Sequence, residues 1–256
     1  MTIFWATDPI LVQLGPLALR WYGLFFAMAF LIGTSILRRM FLAEGKPLQD
    51  TDTLLTWGVV SVVVGARLGH VLFYEPAYYF SNPLEILAVW HGGLASHGGA
   101  IGSLAVLYVF AKKLNHSFLW ICDRVAILVP MTGALIRTGN FFNSEIIGKA
   151  TDGTWGVIFA RIDGTPRHPA QLYEAACYLA IFGVLLLWYN AAKSKDFQGR
   201  ILGLMLIAIF SARFGLEFIK ENQVAFESSM SLNMGQLLSL PFMALGTWLL
   251  LRKTKT

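Results

Sequence analysis

The chain is 256 residues long, 56% of them hydrophobic and only 14% charged, with a mean hydropathy of +0.59. A water-soluble domain carries about a quarter charged residues, so this composition excludes an ordinary soluble globule and points to a bilayer. The net charge of +5 does not indicate nucleic acid, because its basic residues sit in short clusters between apolar stretches rather than in one block.

The start, MTIFWATDPI, lacks the basic n-region of a cleaved signal peptide, and the first long apolar run ends in Arg38-Arg39. Seven stretches are long and apolar enough to span: about Leu17–Leu37, Thr53–Phe73, Leu94–Ala111, Phe118–Leu135, Pro169–Trp188, Ile201–Phe218 and Gly235–Leu251. The expected fold is an all-α polytopic membrane protein of about seven transmembrane helices, one integral membrane domain over residues 1–256. Shorter apolar pieces such as LEILAVW, Leu84–Trp90, read as interfacial or re-entrant helices. No internal repeat stands out beyond two His-Gly-Gly triplets. Cys122 and Cys177 lie inside apolar stretches and read as small core residues. No Cys or His spacing resembles a zinc site, and no metal is expected.

Basic residues set the expected orientation. Arg38, Arg39 and Lys46, then Lys112 and Lys113, then Lys193, Lys195 and Arg200, and finally Arg252, Lys253 and Lys255 fall in alternate connections. The loop Glu75–Gly93 has no Lys or Arg. By the positive-inside rule the basic set is cytoplasmic, which puts the N-terminus outside and the C-terminus in the cytoplasm. The longest outer loop, about residues 139–168, contains the alternating run TWGVIFARID and is expected to fold as a small cap with a strand pair.

Ionisable groups inside a span are costly unless paired or hydrated, so each is a functional candidate. Four arginines qualify: Arg67, Arg124, Arg137 and Arg213. Arg124 adjoins Asp123 near a cytoplasmic end and reads as a structural ion pair or a snorkelling side chain. Arg67, between Gly65 and Gly69, reads equally as helix-packing glue and as a functional group. Arg137 opens RTGNFFNSEIIG at the outer end of a span. Arg213 sits four residues before Glu217, on a shared helix face where a salt bridge is the plain alternative. Two guanidinium forks at outer-leaflet depth suit an anion, and a phospholipid headgroup is the commonest one there.

WHGGLASHGGAIG, Trp90–Gly102, lies at the same expected depth. Its glycines permit tight turns and close helix packing. Packing does not explain the histidines. His91 reads as a hydrated group in the connection, whereas His97, just inside the span, is placed to accept a proton near neutral pH.

These motifs stand in order with RWYGL (Arg20–Leu24), GARLGHVLFY (Gly65–Tyr74), RHPAQLYE (Arg167–Glu174), SARFGLEF and MGQLLSLP (Met234–Pro241). In that order and over nearly the whole length the chain resembles the bacterial prolipoprotein diacylglyceryl transferases. The resemblance implies transfer of the diacylglyceryl group of phosphatidylglycerol to the lipobox cysteine thiol of a preprolipoprotein, in the bacterial inner membrane, with the active site toward the outer side. It implies His97, Arg137 and Arg213 as catalytic residues. Tyr22, Asn140, Asn143, Glu145 and Gly148, with both arginines, would bind substrate. Ile136 stands where family members often have glycine, Ser144 where some have a second glycine, His91 where some have an acid, and Lys220 where some have arginine.

Physical reasoning and resemblance meet in one mechanism. A thiol with a pKa near 8.5 is mostly protonated at neutral pH, and the thiolate is the nucleophile. His97 would take the proton, and Arg137 and Arg213 would stabilise the charge arriving on the departing phosphate. Arginines supply the electrophilic work, so no cofactor is expected. A flippase would spread polar groups through the bilayer, whereas here they cluster on the outer side apart from Arg67 and Asp123-Arg124. A Ser96–His97 protease dyad would need a distant partner, because helix neighbours do not face each other.

Overall fold

The computed structural model describes residues 1–89, 92–192, 195–222, 227 and 229–253. Among the described residues there are eight α-helices: α1 Trp21–Ala43, α2 Leu48–Phe73, α3 Pro76–Ser81, α4 Ser96–Lys113, α5 Phe118–Asn143, α6 Ala170–Ala191, α7 Arg200–Leu216 and α8 Met234–Leu251. Among the described residues six are long and apolar enough to cross a membrane: α1, α2, α5, α6, α8, and α7 with the 3₁₀ turn Glu217–Ile219 that continues it. The chain is therefore a multi-pass membrane protein. The expected seventh span is α4, 18 residues with polar groups at both ends, and it is not among the six. By its contacts the chain divides into two units, Met1–Ile36 with Asp123–Thr256, and Leu37–Cys122.

In the Leu37–Cys122 unit α2 and α4 pack backbone on backbone. Gly65 and Gly69 face Gly98 and Gly102, and a Cβ added to Gly69 would stand 2.9 Å from the Gly98 Cα. Small residues four apart permit this approach where lipid gives helices no hydrophobic reason to associate. Gly92 and Gly93 then turn the chain into α4 with φ of 88° and 68°.

Arg67 resolves as glue of a different kind. It is 3% exposed. Its Nε donates to the Ile86 carbonyl at 3.0 Å, Nη1 to Gly92 and Gly93 at 2.5 and 3.2 Å, and Nη2 to Glu85 and Ala88. The guanidinium also lies 4.8 Å from the centre of the Tyr79 ring. It therefore clips the loop before α4 onto α2. That loop contains α3 and a 3₁₀ turn over Pro83–Leu87, and only the turn overlaps Leu84–Trp90, the stretch read as interfacial.

A repeat that the sequence does not show is present in the backbone. The α1–α2 and α4–α5 connections close alike, with left-handed Gly45 and Asn115 followed by bonds from Lys46 N to Phe41 O and from His116 N to Ala111 O, both 2.8 Å. A six-to-one bond around a left-handed residue ends a helix and turns the chain sharply.

In the other unit the run TWGVIFARID supplies one strand, and its antiparallel partner lies just beyond the run. The strand pair is β4 Gly156–Phe159 and β5 Pro166–Arg167, but β1 Thr2–Trp5 joins it in parallel, registering Thr2 with Gly156 and Trp5 with Phe159. Trp5 packs on Phe141 and Phe142, with ring centres 4.4 and 5.2 Å apart, above buried Val157 and Phe159. Several boundaries move, and two of the shifts change what a stretch is. Leu17–Arg20 is strand β3, hairpinned with β2 Ile10–Leu14, so the first helix starts at Trp21 rather than Leu17. The polar run after Arg137 stays helical to Asn143, so the cap starts later than residue 139.

Asp123 and Arg124 are structural, though each reaches beyond the other. Asp123 accepts from Gly199 N at 2.7 Å and Leu202 N at 3.0 Å, and so caps α7 from α5. Arg124 Nη2 donates to the Lys195 carbonyl at 2.6 Å. Near the same end of α7, Gly203 and Gly246 bring α7 and α8 into backbone contact.

The cap has an acid-sensitive corner. Asp163 accepts from Thr165 N at 3.0 Å and from Arg167 Nη2 at 2.6 Å. The Arg167 hydrogen bond, then the Thr165 amide, hold its carboxyl below the usual carboxylate range. A depressed folded-state value means this contribution is complete above the unfolded value near 4 and is lost as pH falls through the lower folded value. Hydrogen exchange corrected for intrinsic rates should show steady protection of the Thr165 amide from pH 7 to about 4 and a decline below it. Asp163→Asn should remove that pH dependence, and an unchanged profile would refute the assignment.

Candidate active site

The site grows out of the way α5 ends. Glu145 N donates to Asn140 O at 2.9 Å and Ser144 N to Phe141 O at 3.0 Å, with Ser144 left-handed at φ 57°. This bond pair closes a helix around a left-handed residue, a position that favours glycine. The turn folds residue 145 back over the last helical turns. Asn140 Nδ2 and Asn143 Nδ2 then donate to the two Glu145 oxygens at 3.0 and 3.1 Å. Gln171 Nε2, from the first turn of α6, donates to the Glu145 carbonyl at 2.5 Å. Arg137 Nη1 donates to Asn140 Oδ1 at 3.3 Å. Arg137, Asn140, Asn143 and Glu145, all expected from sequence, form one connected run.

Arg137 has a stronger partner that sequence reasoning missed. Its Nε lies 2.6 Å from Glu174 Oε2 on α6, and the Glu174 side chain is 0% exposed. The rule that selected the arginines would have found Glu174, because it is an acid inside the expected span Pro169–Trp188. Lys220, 1% exposed, lies 3.7 Å from Glu174 Oε1 and 2.8 Å from Glu217 Oε1. Glu217 does pair with Arg213 across one helix turn, but at 3.7 Å, so Lys220 is its closer partner. Arg213 is the most open of these groups, 34% exposed. Removing one partner of a buried pair costs about 3–5 kcal/mol, so these contacts fix each other.

Glycine and asparagine set the spacing around Glu217. Asn233 caps α8 through its Oδ1 on Gln236 N at 2.9 Å, and its Nδ2 donates to Glu217 Oε2 at 3.0 Å. A Cβ at Gly235 would stand 2.6 Å from Glu217 Oε1, so the MGQ motif is small where the carboxylate sits. Gly148 acts through its backbone. Its N donates to His168 O at 3.0 Å, it bridges to Lys220, and a Cβ there would meet His168 Cβ at 2.6 Å. Bonds from Lys149 N to Ile219 O and from Glu221 N to Ile147 O extend that ladder and seat Lys220.

Tyr22, in the first turn of α1, lies against α5 at Gly139, where an added Cβ would come within 2.9 Å of its ring. His97 belongs to the Leu37–Cys122 unit. It is exposed in the first turn of α4, on a groove of about 1170 Å³ between α2 and α4 that is lined by Trp57, Leu68, Ile101 and Val109. His91 lies outside the described residues.

This arrangement presents two guanidinium groups beside asparagine amides and a fixed carboxylate, a set suited to an anionic headgroup that bears hydroxyls. A family model described as Prolipoprotein diacylglyceryl transferase matches residues 9–252. A Tolumonas auensis protein named phosphatidylglycerol–prolipoprotein diacylglyceryl transferase is 50% identical over 254 residues, covering 99% of this chain and 98% of its own. Proteins of the same name from Chloroherpeton thalassium and Porphyromonas gingivalis are 45% and 41% identical, each covering 99% of this chain and 95% of its own. With the match running nearly end to end, this chain belongs to the prolipoprotein diacylglyceryl transferase family.

Proposed function

We propose that this chain transfers the sn-1,2-diacylglyceryl group of phosphatidylglycerol to the lipobox cysteine of a preprolipoprotein signal peptide. The supporting observation is the set of two arginines aligned by buried carboxylates next to the Asn140–Asn143–Glu145 cluster, in a chain whose relatives carry that name. His97 takes the thiol proton. The thiolate attacks the glyceryl carbon bearing the phosphate, the carbon–oxygen bond breaks with its electron pair, and a thioether forms as glycerol phosphate leaves. Arg137 and Arg213 meet the charge that moves onto that phosphate. Asn140, Asn143 and Glu145 hold headgroup oxygens, Tyr22 donates a hydrogen bond, and Gly148 keeps the floor of the site close.

The same reading makes α4 a seventh span in a single integral membrane domain of the bacterial inner membrane, N-terminus outside and C-terminus cytoplasmic. With alternating spans, the starts of α1 and α6 and the ends of α5 and α7, all in one unit, then face outward, and those ends carry Tyr22, Glu174, Arg137 and Arg213.

The test uses purified protein in phosphatidylglycerol vesicles with a lipobox peptide, read by mass spectrometry. A gain of one diacylglyceryl unit that disappears when the peptide cysteine is serine is expected. Folded protein that gives no adduct refutes the reading. His97→Ala should lower turnover about 10²-fold or more, the usual scale of general-base catalysis. Turnover close to wild type would remove His97 from the proton transfer.

A further inference from the structure

Lys220 is a charged side chain with almost no access to water. It bridges two carboxylates, Glu217 at 2.8 Å and Glu174 at 3.7 Å, and each carboxylate in turn holds an arginine. The groups come from α5, α6, α7 and the 3₁₀ turn with the residue after it, yet in space their charges alternate: Arg137, Glu174, Lys220, Glu217, Arg213. Three cations against two carboxylates leave a surplus of one positive charge. Glu145 stands outside this run, exposed and held by Asn140 and Asn143.

We propose that Lys220 is a positioning residue that occupies both carboxylates and so keeps the guanidinium groups of Arg137 and Arg213 available to one phosphodiester monoanion. The inference rests on the reading of those arginines as phosphate-binding and adds the device that tunes them. Without the Lys220 charge, two arginines would face two carboxylates, and the neutral cluster would satisfy itself. With it, the single surplus charge matches the single charge of a phosphatidylglycerol headgroup. The backbone ladder from Gly148 to Lys220 supports this role, because it holds the lysine between the carboxylates.

The experiment compares wild type, Lys220→Arg, Lys220→Met and the double variant Glu217→Gln/Lys220→Met in phosphatidylglycerol vesicles. It follows transfer to the lipobox peptide and inhibition by added glycerol phosphate. Lys220→Arg should stay within about threefold of wild type, because it keeps the charge. Lys220→Met should raise KM for phosphatidylglycerol and weaken glycerol phosphate inhibition, each by about tenfold or more, the scale of one lost charge contact. The double variant restores the surplus charge with the Arg137–Glu174 pair intact, so its inhibition constant should recover toward wild type. A double variant as insensitive as Lys220→Met, or a Lys220→Met protein inhibited like wild type, overturns the proposal. Should Lys220→Met fail to fold, Lys220→Arg decides: a tenfold loss of inhibition there refutes the charge argument. Wild-type protein that makes no adduct would refute the transferase reading itself, a distinct outcome.

Discussion

Arg137→Ala should abolish transfer to the lipobox peptide, with a fall in kcat of about 10³-fold or more, at the upper end of what one preorganised donor supplies. The expectation follows from how this arginine is held. Glu174 fixes one edge at 2.6 Å from Nε, and Asn140 Oδ1 accepts a hydrogen bond from Nη1 at 3.3 Å. A side chain fixed on two sides enters the reaction without reorganising, which is where such donors gain over water. Arg137→Lys should recover little, because an ammonium cannot serve Glu174, Asn140 and a phosphate from one planar fork. Arg213 is more open and less tightly paired, so Arg213→Ala should cost less in kcat and more in KM. Each variant needs a melting curve in detergent, since removing Arg137 also strips a buried carboxylate of its nearest cation. An Arg137→Ala protein that folds and keeps a tenth of wild-type turnover would refute the role.

Much of this site was legible because it is local in sequence. Arg137, Asn140, Asn143 and Glu145 fall within nine residues, and a helix ending with a left-handed turn is enough to gather them. Strand β4 announced itself by alternation, whereas β5 lies just outside the alternating run. What stayed hidden depends on partners far along the chain. Nothing in TIFW shows that it pairs with GVIF some 150 residues later. Glu174 and Lys220 were visible as residues, but their meaning is a pairing across α6 and the segment after α7. Arg67 stayed ambiguous for another reason: its partners are backbone carbonyls, which every residue has. Where a span ends was also misjudged at Arg137, since RTGNFFN is polar enough to read as a loop while its backbone remains helical to Asn143.

The adjacent glycines of the second His-Gly-Gly triplet should respond oppositely to substitution. A Cβ at Gly98 would lie 2.9 Å from the Gly69 Cα, with the Gly65 carbonyl oxygen closer still, and backbone cannot swing aside as a flexible side chain does. A Cβ at Gly99 would meet the Ala66 Cβ and Val62 Cγ1 at 3.6 Å, ordinary contact distance. Both residues are helical, so alanine gains about 1 kcal/mol of helix propensity at either position. At Gly99 that gain stands alone, and Gly99→Ala should leave the melting temperature unchanged or slightly raised. At Gly98 it is set against forcing α2 and α4 apart, where overpacking costs about 1–3 kcal/mol and the helices meet along a small-residue seam. Gly98→Val, larger still and β-branched, should leave little folded protein by fluorescence-detected size exclusion. Because α4 carries His97 in its first turn, the Gly98→Ala protein that does fold should also lose transfer activity, whereas Gly99→Ala should keep it. Equal behaviour at the two positions would mean that the α2–α4 seam is not the backbone contact described. His97 would then owe its position to something other than those glycines.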